Sequence, residues 1–190
     1  MVLRVARFQC FKCARLQNRH YSKKNAWIAV LGLFLLYVWA GPTQAQTLNA
    51  WQLEEARDLA AIGEQAAEKG HPVMLLFTRL RGGGAATLKE EAILPVVENG
   101  LLDGYAVMLE VTLNSGGEVI DFYGEPVSKQ TLADWYNITK YPTLITLDPS
   151  GEEISERMET AGAYVYVPHR IQKMVNQGLA AMGQSKRLSF

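Results

Sequence analysis

The five apolar residues Val73–Phe77 (VMLLF) constrain the fold more than any other stretch of this chain. No polar residue alternates with them, so the run reads as a strand buried on both faces rather than one half-exposed to water. A strand of that kind needs helices on both sides. The flanking sequence supplies them. NAWQLEEARDLAAIGEQAAEKGHP carries Ala56, Leu59, Ile62 and Ala66 at helical spacing. Asn49 is a candidate cap for its start, and Gly70 with Pro72 stops it. On the other side, ATLKEEAILPVVEN places Leu88, Ala92 and Val96 on one helical face. Pro95 should bend that helix or mark its last turn.

Downstream, YAVMLEVTL (105–113) reads as a second strand, and NSGGEVIDFYGEPVS reads as a loop from its Gly and Pro content. SKQTLADWYN is a short helix with Ser128 as candidate cap and Asn137 at its end. TLITLD and EEISERME flank PSG, a hairpin signal. VPHRIQKMVNQGLAAM places Ile171, Met174, Val175, Leu179 and Met182 on one stripe, with Pro168 in the first turn. The predicted order is α-β-α-β-α-β-β-α, which implies a mixed sheet with helices on both faces.

The N-terminal part differs in charge. Residues 1–50 hold seven Lys or Arg and no acid, leaving twelve basic residues against nineteen acidic ones in the remainder. Residues 26–40 (AWIAVLGLFLLYVWA) form an uncharged apolar run after Lys23 and Lys24, with TQA at 43–45. As a helix the run spans roughly 22 Å, short of the ~30 Å hydrocarbon core. The pattern predicts 1–45 to be a signal peptide cleaved after Ala45, or a signal anchor tethering the protein to the membrane through 26–40. In either case 46–190 is one exported domain, periplasmic in a bacterium. An Arg-rich, acid-free start also suits a mitochondrial presequence. Both cysteines, Cys10 and Cys13, lie in this leader. The exported part holds none, so it offers neither a disulfide nor a catalytic thiol.

The domain resembles the thioredoxin-like family, in particular its periplasmic members, over roughly residues 51–182. VMLLFT leads into a helix with LKEEAILP, where the family carries F-[ST]-x-x-x-C-x-x-C. IDFYGEPVSKQTLADWYNITKYPTLITLDPSGEE matches an acidic strand end, a G-x-P loop, a helix ending in Tyr and a P-T dipeptide before a hairpin. The terminal amphipathic helix is the third element. The resemblance implies a thioredoxin-like α/β fold, a mixed central sheet flanked by helices with an N-terminal helical extension. It also implies a cis peptide at Tyr141–Pro142 beside the active loop.

Aligned without gaps, the family's C-x-x-C falls on Gly82, Gly83, Gly84 and Ala85. Thiol–disulfide exchange needs a thiolate, and glycine and alanine provide no nucleophile. The sequence thus reads as a degenerate member without a cysteine-based active site: a protein- or peptide-binding, chaperone-like or assembly module. The alternative is an accessory protein or enzyme of a thiol–disulfide pathway whose partner supplies the cysteines. The resemblance makes Tyr141, Pro142 and Thr143 the candidate peptide-binding groove, opposite a glycine loop that lets a partner backbone approach closely. Arg79 and Arg81 beside the Gly-rich turn are candidate anion contacts, with solvated loop arginines as the simpler reading. The expected partner is a protein or peptide in the exported compartment, with no nucleic acid, no cofactor and no metal. His71 and His169 have no second ligand at metal spacing and read as exposed or capping residues. LEEARD and LKEE read as solvated helix faces.

Overall fold

The computed structural model describes residues 53–81, 84–159 and 163–190. The leader, Asn49, and Gly82 and Gly83 lie outside the described residues.

Three strands carry the core sheet and a fourth closes it. Strands β1 (Val73–Arg79) and β2 (Val107–Leu113) run parallel, with Val73 opposite Val107 and Arg79 opposite Leu113. Between them run α2 (Ala85–Leu88), a π turn (Lys89–Ile93) and α3 (Leu94–Glu98). Strand β5 (Thr143–Leu147) pairs antiparallel with the other edge of β1 and with the short β6 (Met158–Glu159). The order across the sheet is β2-β1-β5-β6.

Helix α1 (Leu59–Lys69) precedes β1, α4 (Lys129–Trp135) precedes β5, and α5 (Val167–Ala181) follows β6. Strand parity sorts the core into two layers. Met74 and Leu76 pack with Leu88, Ile93 and Val96 of the first crossover and with Ile171 and Val175 of α5. Val73, Leu75 and Phe77 pack with Leu59 and Ala66 of α1 and Leu132 and Ala133 of α4. All five residues of VMLLF are fully buried, as a strand covered on both faces requires. Burying Phe77 alone contributes about 1.5–3 kcal/mol.

Pro95 acts on its helix as expected, with a definite local form. Proline lacks the N–H that would bond the carbonyl of Glu91, and the preceding turn widens. The Leu94 N–H donates to the Lys89 carbonyl, five residues back. Gly70 ends α1 in the left-handed conformation, φ 63°, and Ser128 caps α4 by accepting from the Thr131 N–H.

Four expectations are corrected. Helix α1 starts at Leu59, with Asp58 as its cap, rather than near Asn49. Residues before it are captured by β2 instead: the Ala56 N–H donates to the Glu110 carbonyl at 2.7 Å, and the Glu110 N–H to the Glu54 carbonyl at 2.8 Å. LEEARD is therefore extended at its start, and Glu55 binds Lys129 Nζ at 2.5 Å rather than facing water on a helix. The stretch read as a loop holds an antiparallel hairpin, β3 (Glu118–Ile120) and β4 (Pro126–Ser128). Finally, His71 is buried, with 8% of its surface exposed. Burial and the charges of Lys186 and Lys69 lower its pKa.

Candidate functional site

The register of β5 on β1 places the candidate site. Phe77 lies opposite Thr143, so the end of β1 meets the segment just before β5. The Tyr141–Pro142 peptide there is cis. The guanidinium of Arg79 lies 4.2 Å from the centroid of the Tyr141 ring, a cation–π contact. The Tyr141 hydroxyl donates to the Ile138 carbonyl at 3.1 Å, which ties the ring to the turn after α4.

Beyond the end of β1, Gly84 takes φ 84° and opens α2. The Leu88 N–H donates to its carbonyl at 2.8 Å. A side chain at Gly84 would be strained by that backbone, and its Cβ would sit 3.5 Å from the Tyr164 hydroxyl oxygen. Gly84 is exposed, whereas Ala85 is buried under the helix start.

Pro142 and Thr143 present almost no side-chain surface to solvent. The Thr143 hydroxyl donates inward to the Lys140 carbonyl at 2.8 Å. Tyr141 is half-buried. Arg79 is the last residue of β1 and lies against Tyr141 rather than in a free loop, and both it and Arg81 are exposed. Beside them, Lys140 donates to Glu159 at 2.6 Å, and this bond holds the Glu159 carboxyl below its usual range.

Sequence reasoning missed two features. The first lies beneath the junction. Glu110, in the middle of β2, points to the same face as Leu76, with only 5% of its side chain exposed. It accepts from the Thr78 hydroxyl at 2.5 Å and from Lys89 Nζ at 3.0 and 2.9 Å through its two oxygens. Lys89 thus leaves the solvated face assigned to LKEE and pins the first crossover to the sheet. A lone acid inside VMLEVTL was the available signal, but a partner on a different element was not readable from periodicity. The second is a set of exposed apolar side chains: Leu80 just after β1, and Val165 and Tyr166 in the turn that follows Tyr164. Leu80 is 62% exposed and Val165 78%.

Among the described residues no cluster of His, Cys, Asp and Glu has the makings of a metal site. No protein-family model and no curated protein matches the sequence. Solved structures do align with it. A DsbH oxidoreductase is 17% identical, covering 74% of this chain and 97% of that one, with a TM-score of 0.49. A thioredoxin-fold protein from Helicobacter pylori is 16% identical, covering 65% of this chain and 93% of that one, with a TM-score of 0.42. Oxidised thioredoxin O2 from Arabidopsis thaliana is 15% identical, covering 64% of this chain and 96% of that one, with a TM-score of 0.41. Similarity at this level says nothing about activity. The sheet order β2-β1-β5-β6, its antiparallel β5 entered through Tyr141–Pro142, and helices on both faces together make this a thioredoxin-like fold.

Proposed function

We propose that the protein is an exported thioredoxin-fold binding module without thiol chemistry of its own, which holds an extended segment of a protein partner at the end of β1. One observation carries this reading. Leu80, just after β1, and Val165, next to the Tyr164 whose hydroxyl lies by Gly84, are large apolar side chains left in water in a domain that has no cysteine. Tyr141 and Tyr166 add aromatic surface, and aromatic residues are enriched at protein interfaces. The glycine at 84 lets a partner backbone come close. Residues 1–45 deliver the domain to the exported compartment or tether it there.

The test is binding of the purified protein to an array of immobilised polypeptide segments, with Leu80→Asp and Val165→Asp as variants. Both side chains are exposed, so folding is expected to survive. Binding should weaken about tenfold or more, because loss of a central apolar anchor costs about 1–2 kcal/mol. Unchanged affinity in both variants would remove the junction from the interaction. In parallel, the cysteine-free part, residues 46–190, should leave the rate of insulin reduction by dithiothreitol at background. A rate above background would point instead to catalysis.

A further inference from the structure

Away from the junction, the β3–β4 turn, the C-terminal end of α4 and the β5–β6 turn enclose a cleft of about 240 Å³. Its walls are aromatic. Phe122 and Tyr123 come from the hairpin, and Trp135 and Tyr136 from the end of α4. Tyr123 is 84% exposed and Trp135 54%, a large amount of aromatic surface for one small cleft to leave in water.

The charged side chain in the lining of the cleft is an acid. Asp121 lines it and is only 3% exposed. Its Oδ1 accepts from the N–H groups of Tyr123 and Glu125, both at 2.8 Å. Its Oδ2 makes no hydrogen bond among the described residues. The Tyr136 hydroxyl is already engaged, donating to the Gly151 carbonyl at 2.8 Å. Its ionisation is pushed above the usual range, first by burial and then by Tyr123, Asp148, Glu153 and Asp121. Two acids without a cationic partner among the described residues, Asp121 of the hairpin and Asp148 of the β5–β6 turn, thus act on the same hydroxyl. Arg157 is the neighbouring cation, and it is committed to Glu153 and to the Tyr136 carbonyl.

We propose that this cleft binds an organic cation, an alkylammonium or guanidinium head held between the Tyr123 and Trp135 rings and the Asp121 carboxylate. Ring faces attract a cation within about 6 Å of their centroids, and a shielded carboxylate strengthens the attraction. The cleft is smaller than the ~300–1,000 Å³ of typical small-molecule sites, so it suits a single head group. The site is separate from the junction and does not depend on the role proposed for it.

Calorimetric titration of the full-length protein tests this with four probes: choline, its carbon isostere in which tert-butyl replaces trimethylammonium, and the blocked amides of lysine and arginine. Choline or a basic amide should bind, and the uncharged isostere should bind about tenfold more weakly or not at all. Tighter binding of choline assigns a free ammonium ligand, and tighter binding of the amides assigns a basic side chain of a peptide. Asp121→Asn keeps an acceptor for the two N–H groups but removes the charge, and should weaken binding about tenfold. Trp135→Ala changes an exposed ring and should weaken binding while leaving the thermal transition in place. It serves as the test if the Asp121 variant fails to fold. Equal binding of the isostere, no binding of any cation, or full affinity in the folded variants would overturn the proposal.

Discussion

Two buried carboxylates are satisfied in opposite ways. Glu110 sits on the sheet face covered by α2, α3 and α5, and takes its partners from afar. Thr78 is 32 residues away on β1, and Lys89 is 21 residues away in the crossover. Asp121 sits in the hairpin beside α4 and takes its partners locally, from N–H groups two and four residues on. The Glu110 cluster therefore joins three elements, whereas the Asp121 hydrogen bonds shape one turn. A charge neutralised by another charge across the fold is a constraint on tertiary structure. A charge held by nearby backbone dipoles is a constraint on a loop, and it leaves the rest of the carboxylate free to act on something else.

The sharpest way to break this contrast is Lys89→Ala. It leaves the Glu110 carboxylate buried without its cation, and should cost about 3 kcal/mol, read as a drop in the urea midpoint with an unchanged slope. The double variant Lys89→Met with Glu110→Leu should recover most of that loss, because the desolvation penalty disappears with both charges. A cost below about 1 kcal/mol for Lys89→Ala would mean that water reaches Glu110 readily. Asp121→Ala should be milder, about 1–2 kcal/mol, since two N–H groups lose an acceptor in a turn open to solvent. Amide hydrogen exchange should quicken around Tyr123 and Glu125 in that variant but not in β1. If β1 loosens too, the hairpin is not the local unit described here.

The smallest effect concerns His71, a third buried titratable side chain, which is surrounded by cations rather than by a partner of opposite charge. Its pKa is lowered in the folded state, so the unfolded chain binds its proton more readily. The contribution of His71 to stability is present above about pH 6.5 and is lost as the pH falls from there through the folded value. The urea midpoint should therefore decline on acidification through this range, and His71→Gln should flatten part of that decline. An identical slope in the variant would show that other groups govern it.

How these sites were read from sequence follows from how far apart their parts are. VMLLF was legible as a doubly covered strand because burial of a strand is written in consecutive residues. The amphipathic stripe of α5 and the Ser128 cap were legible for the same reason, since helix periodicity and capping act within a few positions. The absence of cysteine after Cys13 is a property of the sequence alone, and it removes thiol chemistry from residues 46–190 whatever their fold.

The tertiary structure decided the rest. The start of α1 moved to Leu59 because β2 offered backbone partners to Glu54 and Ala56, a competition that helix propensity does not register. The hairpin in NSGGEVIDFYGEPVS formed although its strands are only three residues each, too short for alternation to stand out. Lys89 and Glu110 became a pair, and Leu80 and Val165 became exposed, because the parallel register of β1 on β2 and the path of the crossover set who meets whom. Local patterns encode which residues avoid water. Which residues they meet instead depends on contacts between distant parts of the chain, and those exist only once the sheet has closed.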